Sequence, residues 1–162
     1  MRFSPKQKQA LKLLKNGELK RLNIFEGSVR SGKTYISMVI WGLWVARSPK
    51  ESAYLMAGKT MNTLKRNVLE PMTEIFGNRF TYNTTKKEAR LFGRRIYLEG
   101  AANASAEGKI RGMTLHGAYC DELTLFDESF FVMLLSRLSE RGAKLIATTN
   151  PDNPSHWVKR DY

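Results

Sequence analysis

Gly27-Ser28-Val29-Arg30-Ser31-Gly32-Lys33-Thr34 sets two glycines with four residues between them and follows the second at once with a lysine and a hydroxyl. That is the G-x-x-x-x-G-K-[ST] pattern of a phosphate-binding loop. Each part has a physical task. Glycine takes positive φ at little cost, so the backbone can wrap closely. Successive N–H groups then face an anion at a helix N-terminus. Lys33 brings positive charge to the β- and γ-phosphates of a nucleotide, and the Thr34 hydroxyl is a ligand for Mg²⁺.

A second group lies far along the chain. Asp121 and Glu122 follow the apolar run ending at Cys120. Magnesium prefers hard oxygens and keeps several waters, so a single Asp completes its protein shell. A glutamate beside it is placed to accept a proton from an attacking water, or to orient that water. Asp127 and Glu128 are close rivals, but they read as capping residues at a helix start, where negative charge is favourable. Thr148-Thr149-Asn150 ends the following strand. Polar groups at the C-terminal end of a parallel strand gather at the ligand crevice. The run Asn150-Pro151-Asp152-Asn153-Pro154 reads equally well as a bland turn.

These groups need elements to carry them. Residues 5–15 place Ala10, Leu11, Leu13 and Leu14 among lysines, the pattern of a short amphipathic helix. Residues 22–26 predict a strand entering the glycine loop, and Lys33 to Arg47 a largely buried helix stopped at Ser48-Pro49. Ala53–Ala57 predicts a strand. Thr60–Phe76 predicts a helix that Pro71 kinks or splits. Segments 79–83, 89–92 and 95–99 alternate like an antiparallel ribbon. Gly100–Gly112 reads as a small-residue loop, 115–120 as a strand, 127–138 as a helix and 144–149 as a strand. Strands alternating with helices predict an α/β fold, with a mostly parallel central sheet flanked by helices and an added antiparallel ribbon.

The 162 residues fit one domain, and 42% hydrophobic with 26% charged residues is the balance of a folded chain. One cysteine, Cys120, excludes an internal disulfide and a Cys-rich zinc site. The longest apolar tract, Tyr35 to Ala46, falls short of the roughly 20 residues of a membrane span. Lys and Arg number 27 against 15 Asp and Glu, a net charge of +12, which points to an anionic partner.

Together the motifs resemble the ATPase domain of a phage terminase large subunit, a P-loop NTPase and DNA-packaging motor. Phe3-Ser4-Pro5-Lys6-Gln7 is similar to the family's N-terminal glutamine motif. Residues 27–34 resemble its Walker A loop, including the internal arginine. Residues 111–122, Arg-Gly-Met-Thr-Leu-His-Gly-Ala-Tyr-Cys-Asp-Glu, resemble the approach to its Walker B acids, and Thr148-Thr149-Asn150-Pro151 its coupling motif. The resemblance implies that Gln7 recognises adenine and that Gly27, Ser28, Val29, Arg30, Ser31, Gly32, Lys33 and Thr34 cradle ATP. It implies Thr34 and Asp121 on Mg²⁺, and Glu122 as the catalytic base. Lys33 and Arg30 would stabilise charge, and Thr149 and Asn150 would couple hydrolysis to movement. Arg111 either stabilises charge or contacts a neighbouring subunit.

The same resemblance implies double-stranded DNA, a portal protein and a small terminase subunit as partners. It implies a ring on the procapsid formed by chains that are monomers in isolation, in the host cell cytoplasm and with no membrane. The expectation is a single ATPase domain over 1–162 that stops before the family's lid and nuclease regions, without nuclease activity. Two basic clusters suit a sequence-independent grip on DNA: Arg2, Lys6, Lys8, Lys12, Lys15, Lys20 and Arg21, and Lys86, Lys87, Arg90, Arg94 and Arg95. A helicase-like ATPase would share Lys33, Asp121 and Glu122. A non-catalytic nucleotide-binding, DNA-binding or assembly module would bind ATP without turnover. The absence of an Asn-Lys-x-Asp signature disfavours a GTPase.

Overall fold

The computed structural model describes residues 3–26, 32–150 and 157–162. Seven strands form one sheet: β1 (Leu22–Glu26), β2 (Ala53–Gly58), β3 (Phe80–Asn83), β4 (Glu88–Leu91), β5 (Arg94–Gly100), β6 (Gly117–Cys120) and β7 (Lys144–Thr149). Their order is β1-β7-β6-β2-β5-β4-β3. The first five in that order pair in parallel, and β5-β4-β3 pair antiparallel. The antiparallel ribbon is therefore not an appendage. Its last strand, β5, is a full member of the parallel sheet through its pairing with β2.

The helices are α1 (Pro5–Lys15), α2 (Lys33–Ala46), α3 (Met61–Leu64), α4 (Glu70–Phe76), α5 (Glu107–Ile110), α6 (Glu128–Arg137) and α7 (Trp157–Asp161). Among the described residues, no helix is long and apolar enough to cross a membrane. The small-residue loop after β5 folds locally, containing a 3₁₀ turn at Ala104–Ala106 as well as α5.

Strand alternation builds two cores, one on each face of the sheet. Tyr54 and Met56 of β2 join Ile40, Trp41, Leu64, Met72 and Tyr119 on the α2 face. Leu55 and Ala57 join Leu115, Phe130, Phe131, Leu134 and Leu145 on the α6 face. A parallel strand covered on both sides must be apolar throughout, which is why β2 has no polar alternation. Helix α2 is apolar nearly all round because it is buried on most of its surface.

Capping follows the sequence closely. Ser4 and Gln7 form a capping box at α1, with the Ser4 N–H donating to Gln7 Oε1 at 2.9 Å. Asp127 caps α6, its carboxylate accepting from the Ser129 N–H at 2.9 Å.

Pro71 produces neither a break nor a split. Residues 61–76 run on helically, and the expected interruption is absorbed one turn earlier as a π turn over Lys65–Leu69. The Glu70 N–H donates to the Lys65 carbonyl, five residues back. Pro71 has no N–H with which to continue the α pattern, and the wider turn accommodates that loss.

Arg94 departs from its expected role in a DNA-gripping cluster. It is buried, and its guanidinium donates to Ser48 O at 2.7 Å, Ala46 O at 3.0 Å and Phe92 O at 2.6 Å. It satisfies carbonyls at the C-terminal end of α2, where a cation is favoured. Arg95 pairs with Glu88 at 2.9 Å and covers the Tyr97 ring. Replacing Arg94 with Met should leave buried carbonyls without donors and lower stability by about 2–3 kcal/mol in urea unfolding. Stability within about 0.5 kcal/mol of the parent would show that the Arg94 bonds contribute little.

Candidate functional site

The C-terminal ends of the parallel strands all reach one edge of the sheet, and the candidate chemistry collects there. Lys33, Thr34, Asn67, Asp121 and Glu122 line a cleft of about 250 Å³. Lys33 opens α2 behind Gly32, whose φ of 73 lies in the left-handed region that glycine tolerates. Although buried, the Lys33 ammonium is held: it donates to the Thr149 carbonyl and, at 2.6 Å, to Asn150 Oδ1. The two ends of the sequence motif set are thus clasped across the end of β7.

Asp121 is 3% exposed. Asn67 Nδ2 donates to its Oδ2 at 3.4 Å and Thr148 Oγ1 to its Oδ1 at 3.4 Å, both long bonds. Burial, with the neighbouring charge of Glu122, pushes its pKa up to about 6 against the weaker pull of those donors and Lys33. Glu122 has φ 53, a left-handed backbone that a non-glycine residue adopts only when its surroundings impose it. The imposing contact is visible: the Glu122 N–H donates to Thr148 Oγ1 at 2.9 Å.

Thr148 thus orders both acids through one hydroxyl. The sequence points to Thr149 and Asn150 for coupling; alternation sets Thr148 and Asn150 on one face and the Thr149 side chain on the other. The Thr148 side chain faces the acids, and Asn150 and the Thr149 carbonyl face Lys33. The Thr149 side chain lines a separate cleft of about 360 Å³ with Ile24, Glu26 and Tyr162. Asn67 is the residue that sequence reasoning misses. The only signal for it is Pro71, which demands an irregular turn just where Asn67 must face Asp121.

Other candidates fall into place unevenly. Gln7 packs against the loop's end: a Cβ on Gly32 would lie 2.8 Å from Gln7 Nε2. Gly27, Ser28, Val29, Arg30, Ser31 and Pro151 lie outside the described residues. Arg111 does not line the cleft; it is largely exposed and paired with Glu107 on α5. Behind the site, Ser37 Oγ shares a hydrogen bond of 2.8 Å with the Tyr119 hydroxyl, joining α2 to the strand that presents Asp121. Cys120 is fully buried, and burial drives its thiol upward, away from the reactive thiolate.

The donor set suits Mg²⁺. Thr34 and Asp121 bring hard oxygens to one cleft, and the described residues hold no cluster of three or more His, Cys, Asp or Glu that would form an all-protein metal cage.

The sequence model of one family, "Terminase large subunit, T4likevirus-type, N-terminal", matches residues 24–162. The chain belongs to the large terminase family. Solved terminases agree. The large terminase of a thermophilic bacteriophage shares 32% identity at a TM-score of 0.89, covering 100% of this chain and 42% of its own. A structure of that thermophilic phage's terminase in complex with ADP shares 30% identity at a TM-score of 0.87, covering 99% and 42%. The HK97 bacteriophage large terminase, at 16% identity and a TM-score of 0.68, covering 98% and 35%, shares the fold. These likenesses make the architecture the P-loop NTPase fold of terminase ATPase domains. The chain spans about two fifths of the length of the thermophilic phage terminase it matches. No curated protein sequence matches it.

Two expectations about stability follow from the acids. Asp121 titrates near 3.8 when unfolded and near 6 when folded. The fold holds its proton more tightly, so this group's stabilisation is full below pH 4 and is lost as pH rises through 6. In EDTA, Asp121→Asn should therefore be more stable than the parent at pH 7, by on the order of 1–3 kcal/mol, with the gap closing near pH 4. A constant gap in urea unfolding across that range would refute the assignment. Thr148→Val should move the other way, losing about 1–3 kcal/mol at pH 7 because the Glu122 N–H is left without its acceptor. An unchanged melting temperature would show that the tie is dispensable.

Proposed function

We propose that this chain is the ATP-hydrolysing motor domain of a large terminase and drives double-stranded DNA into a procapsid. The observation that carries the reading is the convergence of Lys33, Thr34, Asp121 and Glu122 in one cleft at the strand ends. Structures of the thermophilic phage terminase in complex with ADP and with ATP-gamma-S, each 30% identical, support a nucleotide in that cleft.

The roles proposed for the residues are these. The Lys33 ammonium exchanges the Thr149 carbonyl and Asn150 for the β- and γ-phosphates of ATP. Gln7, beside Gly32, would meet the adenine edge, and Arg30, by the family resemblance of the loop's sequence, would supply charge to the phosphates. Thr34 and Asp121 hold Mg²⁺, which neutralises phosphate charge when bound. Glu122 accepts the proton of the attacking water. Thr148 and Asn150, on one strand end, carry the change at the phosphates to the acid turn; Thr149 takes part through its carbonyl. Arg111, set on the surface away from its own cleft, suits contact with a neighbouring subunit in a ring. Portal, small terminase subunit and procapsid are the partners this role requires, in the host cytoplasm.

The test is steady-state ATP hydrolysis with and without duplex DNA. Lys33→Ala should weaken ATP binding and abolish turnover. Glu122→Gln should keep ATP binding and lower turnover by about 10²–10⁴-fold. Turnover in Glu122→Gln equal to the parent would remove the general base assigned here. ATP binding without turnover in the parent would make the chain a nucleotide-binding assembly module.

A further inference from the structure

A second cleft opens at the same sheet edge, at the ends of β2 and β5. Its volume is about 250 Å³, and Lys59, Lys87 and Lys109 line it with Thr60, Asn103 and Ser105. The lysines come from three separate elements: the residue after β2, the β3–β4 turn and α5. One acid balances them in part. Glu99, with a side chain 9% exposed, lies 3.5 Å from Lys87 Nζ and 3.9 Å from Lys109 Nζ. Lys59 is exposed and makes no ion pair among the described residues. Three cations against one carboxylate leave an excess of positive charge, surrounded by hydroxyl and amide groups that carry no sequence preference.

We infer that this cleft is a contact for the phosphate backbone of duplex DNA. The inference rests on the motor reading above and assigns that motor a grip. Ammonium, hydroxyl and amide donors are the groups that hold backbone phosphates. Glu99 narrows the choice of anion. A carboxylate among the lysines repels a dianionic free phosphate more than a singly charged phosphodiester.

The position also suits a motor. Only β2 separates β5 from β6, so the cleft and the Asp121 strand end are about 10 Å apart across the sheet. Two paths join them. Lys59 and Thr60 lead through α3 into the π turn that carries Asn67 to Asp121. Ala101, beside the cleft, donates to the Gly58 carbonyl and accepts from the Asp127 N–H, each at 2.8 Å, and Asp127 lies on the segment leaving Glu122.

The experiment is fluorescent duplex binding over a KCl series, with thermal melting of every variant. Lys59→Ala leaves both Glu99 pairs intact. It should weaken binding and reduce the slope of log affinity against log salt by about 0.9, one phosphate contact. Lys59→Glu should weaken binding further. Lys50→Ala, which removes the same charge ahead of β2 at the opposite sheet edge, should leave the slope unchanged. Lys109→Ala leaves Glu99 with Lys87 alone, and Lys109→Arg, which keeps the charge, should restore DNA affinity. Absence of salt-dependent DNA binding by the parent chain would overturn the motor reading itself. Normal parent binding with an unchanged slope in both Lys59 variants would overturn the cleft alone. So would a change in self-association with DNA binding unchanged, which would make the cleft a contact between copies.

Discussion

Asp121 keeps a carboxylate in a place almost closed to water, where two long hydrogen bonds and a weak pull from Lys33 do not offset its burial. An acid so placed raises its pKa and weakens the fold. The surrounding elements make sense as the means of holding it there. Burial on both faces gives β6 rigidity; Thr148 fixes the acid from β7, Asn67 from the helical segment after β2, and Tyr119 locks the strand to α2 through Ser37. The acid by itself works against the stability of the fold.

The second dependency is the end of β7. That strand lies between β1, which leads into the glycine loop, and β6, which leads into the acids. Alternation puts Thr148 and Asn150 on the same face, the one that Lys33 and the acids share. Thr148 touches the acids, while Asn150 and a carbonyl touch Lys33. One strand end therefore contacts both Lys33 and the Glu122 turn.

Much of this was legible in the sequence. The glycine-lysine loop, the Asp-Glu pair and the polar strand end all carry local chemistry whose residue types are restricted, and they lie at strand ends as periodicity predicts. The helix over 5–15, its Ser4 cap and the Asp127 cap follow from side chains that satisfy nearby backbone groups. The rest depended on contacts distant along the chain. Nothing in Arg94 itself distinguishes a buried staple from a surface cation; only the carbonyls at the end of α2 do. Asn67 is an ordinary helix residue until the sheet brings Asp121 beside it. The left-handed turn at Glu122 has no glycine to announce it. The role of β5 as both ribbon and parallel strand is a property of pairing order, which alternation alone does not specify.

The π turn at Lys65–Leu69 amounts to a helix with one residue too many. Each residue advances an α-helix by about 100° around its axis. Deleting one residue there would turn everything on one side of the deletion by that angle, while Pro71 would still lack its N–H. Either Asn67 would leave Asp121, or Met72 and Phe76 would leave the core beneath α2. One extra residue thus lets Asn67 reach the acid while Met72 and Phe76 stay in the core.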